Sequence, residues 1–89
     1  METITIDYMT NIHLTQREEE VLRHIARQFT SKEISAELNI SSDTVETYRK
    51  RLREKLNAKN SVGIVLNSIA FGLMTIEDLI SEKYHYKGN

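Results

Sequence analysis

Cysteine is absent from the 89 residues, so neither a disulfide nor a zinc–thiolate cluster can brace the fold. Proline is also absent and glycine occurs only three times, which favours an all-helical chain joined by short turns. No apolar run approaches membrane-spanning length, and the first residues lack the basic-then-apolar order of a signal peptide; the expectation is a cytoplasmic protein. Chemistry-bearing motifs are missing too. There is no nucleophile motif and no glycine-rich phosphate loop, and His13, His24 and His85 are scattered without acidic partners at a metal-ligand spacing. Composition therefore predicts no enzyme, metal or cofactor. The length suits one small domain, near the lower limit for a self-sufficient core.

Net positive charge is lacking as well, since the chain carries −1 overall. What it has instead is uneven charge. The stretch 41–60, SSDTVETYRKRLREKLNAKN, places Val45, Tyr48, Leu52 and Leu56 at helical spacing. Glu46, Thr47, Lys50, Arg51 and Glu54 fall on the opposite face, with Arg53 at the flank. From residue 49 to 59, Arg49, Lys50, Arg51, Arg53, Lys55 and Lys59 are offset by Glu54 alone, whereas acids outnumber bases before residue 39. A local basic stripe of this kind is an electrostatic footprint even where the overall charge is not basic. It calls for a solid support and an anionic partner.

The rest of the chain supplies the support. Thr15 with Glu18 forms a capping box that opens a helix over 16–28, with Val21, Leu22, Ile25, Ala26 and Phe29 on one stripe and Leu14 tucked beneath. Thr30 with Glu33 opens a second helix over 31–38, with Ile34 and Leu38 inward and Ala36 small enough for a neighbouring helix to approach. Asn39 suits a left-handed closing position, Ile40 plugs the turn, and Ser41 caps a helix over 42–57. Two helices joined by so short a turn, the second one basic, make a helix-turn-helix. Asn60 caps a fourth helix over 61–71, closed by Gly72. It is apolar on two sides: Val62, Val65, Leu66 and Ile69 on one, Ile64 and Phe71 with Asn67 and Ser68 between them on the other. The second stripe predicts a self-association surface. Thr75 with Asp78 opens a short helix to about residue 82. Residues 1–13, where Ile4, Ile6 and Tyr8 alternate with polar neighbours, are expected to be a flexible segment, and 74–89 the short helix and a tail.

These residues resemble the LuxR/GerE-type helix-turn-helix domain of NarL/FixJ response regulators. Members look like L-T-x-R-E-x-E-V-L, then K-E-I-A, then I-S-x-x-T-V-x-x-H, then K-L and a later G-L. Here stand Leu14-Thr-Gln-Arg-Glu-Glu-Glu-Val-Leu22, Lys32-Glu-Ile-Ser35, Ile40-Ser-Ser-Asp-Thr-Val45, Lys55-Leu56 and Gly72-Leu73, in order across 14–73. The resemblance implies a four-helix, all-α domain whose third helix enters the major groove and whose fourth forms a dimer. It also implies a stand-alone GerE-type regulator, with no receiver or autoinducer-binding domain ahead of the module. Three positions depart from the pattern: Tyr48 replaces histidine, Ser35 replaces alanine, and Ser61 replaces a frequent arginine.

Glu46, Thr47, Lys50 and Arg51, on the exposed face of the third helix, are expected to read base edges of double-stranded DNA. Lys32, Ser42, Thr44, Arg49, Arg53 and Lys55 are expected to hold phosphates. Ile64, Asn67, Ser68 and Phe71 are expected at a homodimer interface. The alternative is a protein-interaction module that binds a regulator or an RNA polymerase subunit, which the low total charge and Glu46 would suit.

Overall fold

The computed structural model describes residues 12–79, and among these the fold is all-α. Helix α1 spans Gln16–Ala26, α2 Ser31–Leu38, α3 Ser42–Lys55 and α4 Ser61–Ala70. A further helical turn covers 76–79. The expectations for residues 1–11 and for the end of the chain from residue 80 lie outside the described residues.

Each helix starts where a short polar side chain takes up a free amide. Thr15 Oγ1 accepts from Glu18 N at 3.1 Å while Glu18 Oε1 accepts from Thr15 N at 2.8 Å. The same reciprocal pair joins Thr30 and Glu33. Ser41 Oγ accepts from Thr44 N at 3.0 Å, and Asn60 Oδ1 from Gly63 N at 2.9 Å. Thr75 and Asp78 repeat the exchange at the last turn.

The helix ends share one device too. Gln28, Asn39, Asn57 and Gly72 all have positive φ, and each is followed by a residue whose amide reaches back to a carbonyl of the helix it leaves. Those bonds run from Phe29 to His24, Ile40 to Ser35, Ala58 to Arg53 and Leu73 to Ser68, all between 2.8 and 3.1 Å. This is the Schellman closure, in which a left-handed residue lets the chain satisfy the last carbonyls. The four residues that follow, Phe29, Ile40, Ala58 and Leu73, all pack on the core. These closures stop α1, α3 and α4 one or two residues short of the spans expected from periodicity.

Val21, Leu22, Ile25 and Ala26 of α1 meet Ile34 of α2, Val45 and Leu52 of α3, Leu56, Ile64 of α4 and Met74 in one buried cluster. Ala36, expected against a neighbouring helix, is exposed; half-buried Ser35 faces α3 instead, with its hydroxyl 3.5 Å from that of Ser42. Thus α3 lies across α1, α2 and α4, buried along the Val45–Leu52–Leu56 line and open along the other.

Candidate nucleic-acid interface

Thr47, Lys50 and Arg51 are exposed on the outer face of α3, and Arg53 is half-exposed beside them. Arg51 lies over the Tyr48 ring, its guanidinium carbon 5.4 Å from the ring centre, a cation–π contact that orients the charge along the ridge. Thr47 Oγ1 donates to the Asp43 carbonyl at 3.1 Å, which ties its hydroxyl to its own helix. Lys50, Arg53 and Glu54 with Asn57 and Ala58 line an open hollow at the far end of α3. At the near end, exposed Ser42 and Thr44 sit in the first turn of α3, and exposed Lys32 in the first turn of α2. Thr44 Oγ1 pairs with Ser41 Oγ at 2.8 Å.

Two cations expected on phosphates are engaged inside the domain. Only 11% of the Arg49 side chain is exposed. Its Nε donates to Ser31 Oγ at 2.7 Å, one terminal nitrogen to Ser61 Oγ at 2.7 Å, and the other to the Phe29 carbonyl at 3.2 Å. Arg49 therefore ties the starts of α2 and α4 to the middle of α3, and it is withdrawn from the outer face. Lys55 donates to Glu18 Oε1 at 2.8 Å and to the His13 carbonyl at 3.0 Å, which commits two of its three donors. Glu18 itself is almost wholly buried. Burial pushes its carboxyl up, but bonds from Lys55 and Thr15 and the lysine's charge outweigh that and hold it below its ordinary range.

The sequence carried a signal for Arg49 that the helical wheel read on charge alone passes over. Arg49 lies four residues after Val45 and three before Leu52, in register with the buried line. Glu18 likewise precedes Val21 by three residues and Leu22 by four. Ser31 and Ser61 gave no such sign, because their role depends on Arg49 reaching them across the fold.

Glu46 keeps its place on the outer half of α3, with 57% of its side chain exposed, but it is not isolated. It accepts a hydrogen bond from Ser31 Oγ and lies 4.0 Å from Arg49 Nε.

On α4 the apolar faces follow the expectation only in part: Val65 and Ile69 pack on the core as expected, while the other positions differ. Ile64 and Ser68 are fully buried within the domain, and Asn67 donates to the carbonyls of Leu56 at 2.8 Å and Asn57 at 3.2 Å. Phe71 is half-buried against the core. Ile64 and Ser68 therefore face inward rather than to an outer interface, whereas Asn67 and Phe71 are half-buried. Val62 and Leu66 are the outward pair, at 67% and 59% exposure. They border a groove shared with Ile25 and Phe29 at the end of α1 and with Leu79.

The family described as bacterial regulatory proteins, luxR family, matches residues 13–68. The uncharacterized response regulatory protein YgeK of Escherichia coli (strain K12) is 36% identical over 75 residues, which cover 84% of this chain and 51% of that protein. The transcriptional regulatory protein DesR of Bacillus subtilis (strain 168) is 44% identical over 55 residues, 62% of this chain and 28% of DesR. The regulatory protein SdiA of Escherichia coli (strain K12) is 36% identical over 63 residues, 71% of this chain and 26% of SdiA. The chain thus spans about half of YgeK and about a quarter of the other two. Tripartite agreement of helix order, basic third helix and sequence match over more than half its length leads to one conclusion: the chain belongs to the luxR family of bacterial regulatory proteins.

Proposed function

We propose that this chain is a transcription regulator that binds double-stranded DNA, with α3 in the major groove. The observation that carries the reading is a rigidly backed ridge: Thr47, Lys50 and Arg51 stand open on the face opposite the fully buried Val45, Leu52 and Leu56. A side chain that reads bases must be held in register, and burial of the opposite face in one core supplies that. In this reading Lys50 and Arg51 donate to guanine N7 and O6, and Thr47 meets a thymine methyl. Lys32, Ser42, Thr44 and Arg53 hold phosphates; Arg49 and Lys55 are withdrawn from that set. The family match and the named regulators among the relatives support the same class of function.

Binding takes place as a twofold dimer through the outer face of α4, built on Val62 and Leu66, which would set two α3 helices on half-sites about 10 bp apart. Titration of a random-sequence duplex at increasing salt tests the central reading. Affinity should fall steeply with salt, because phosphate contacts release counterions. Lys50→Ala should lose preference among sequences by about 1–3 kcal/mol. Absence of salt-sensitive duplex binding, together with capture of a single protein partner, would favour the protein-interaction module instead.

A further inference from the structure

The hydrogen bonds around Glu46 have one possible direction. Arg49 Nε can only donate, so Ser31 Oγ accepts from it at 2.7 Å. The single hydrogen of the Ser31 hydroxyl is then left for one partner, and it goes to Glu46 Oε2. Arg49 is itself held by Ser61 and the Phe29 carbonyl, so the relay is anchored on α2 and α4 as well as α3. Its outer end is a carboxylate on the open half of α3, one residue before Thr47 and one turn before Lys50. A bare carboxylate there would be repelled by flanking phosphates. The Arg49 guanidinium, with Nε 4.0 Å from Oε2, offsets that repulsion.

We infer that Ser31 and Arg49 are positioning residues that preset Glu46 as the specificity-determining acceptor for the N4 amino group of a cytosine. The inference rests on the DNA-binding reading above. With Oε2 taken by Ser31, Oε1 is the oxygen left for a ligand, and the carboxylate is fixed before binding rather than at the cost of rotamer freedom on binding. Cytosine offers only a donor at that edge. Adenine places the N7 acceptor beside its amino group, which repels a second acceptor, and guanine and thymine present acceptors.

Selection from random duplexes, run in parallel on the unaltered chain, Glu46→Gln and Ser31→Ala, tests this. The unaltered chain should select cytosine at one fixed position of the half-site. Glu46→Gln should move that position toward adenine, whose N6 and N7 match an amide, and leave the other positions alone. Ser31→Ala should keep cytosine but lose about three- to tenfold of the discrimination there, while other positions hold. Arg49 retains its bonds to Ser61 and Phe29 in that variant, and its thermal unfolding should show the fold intact. Equal weakening at every position in Ser31→Ala, or an unchanged preference in Glu46→Gln, would overturn the inference while DNA binding stands. Failure of the unaltered chain to bind any duplex would remove the parent reading, and this one with it.

Discussion

At the scale of single residues, the domain keeps charge inside as well as on its surface. Glu18 and Lys55 form a pair whose acid is buried and whose base is about a third open to water, so the pair is worth less than a fully buried one. Glu18 also closes the α1 capping box. Glu18→Ala should therefore lower stability by about 2–4 kcal/mol, measured by urea unfolding, since both the cap and a charged hydrogen bond are lost. The folded-state pKa of Glu18 is depressed, so its contribution is complete above the unfolded value of about 4.3 and disappears as pH falls through the folded one. Between pH 6 and pH 3 the unaltered chain should lose more stability than Glu18→Gln does. Parallel curves would show that Glu18 is not the group responsible. Arg49 makes the complementary case. Arg49→Met should cost about 2–4 kcal/mol of stability by stranding its acceptors, yet change the salt dependence of duplex binding less than loss of a phosphate-facing cation does. Arg53→Ala should do the opposite, flattening the salt slope by about one unit with little effect on unfolding.

At the scale of helices, starts were more legible than ends. Thr15, Thr30, Ser41, Asn60 and Thr75 are all residue types that accept from a free amide, and three of them are followed at the third position by the acid that answers. Asn39 and Gly72 advertise left-handed closure in the same way. Gln28 does not, because glutamine has no preference for positive φ, and so the periodicity of α1 runs past its true end at Ala26. Gln28→Gly should accordingly raise stability by about 0.5–1 kcal/mol, seen as a higher urea midpoint, because it removes a Cβ from a left-handed position. Loss of stability on that change would mean that the glutamine side chain contributes more than its backbone strain costs. The faces of α4 were harder still. A helix apolar on two sides gives no single periodicity by which to choose, and burial of Ile64 and Ser68 depends on how α4 packs against the rest of the fold. Gly63 shows how close that approach is: a Cβ there would stand 3.2 Å from that of Ala58.

For the whole molecule, the open question set by the fold is what covers Val62 and Leu66. Two large apolar side chains more than half exposed on one helix, continuous with a groove at the end of α1, cost free energy in water that a second copy would recover. Pairing through the outer face of α4 would have to leave both Thr47–Lys50–Arg51 ridges free to face one duplex. Leu66→Asp puts a charge on the proposed interface without touching the core. It should leave the urea midpoint within about 0.5 kcal/mol of the unaltered chain, as expected for a surface change. Light scattering should show it monomeric, both free and on DNA, where the unaltered chain pairs on a two-half-site duplex. Its affinity for that duplex should fall by about ten- to a hundredfold through loss of linked binding, while affinity for a single half-site stays the same. A dimer that survives Leu66→Asp on DNA would place the interface elsewhere and leave the exposed pair to some other partner.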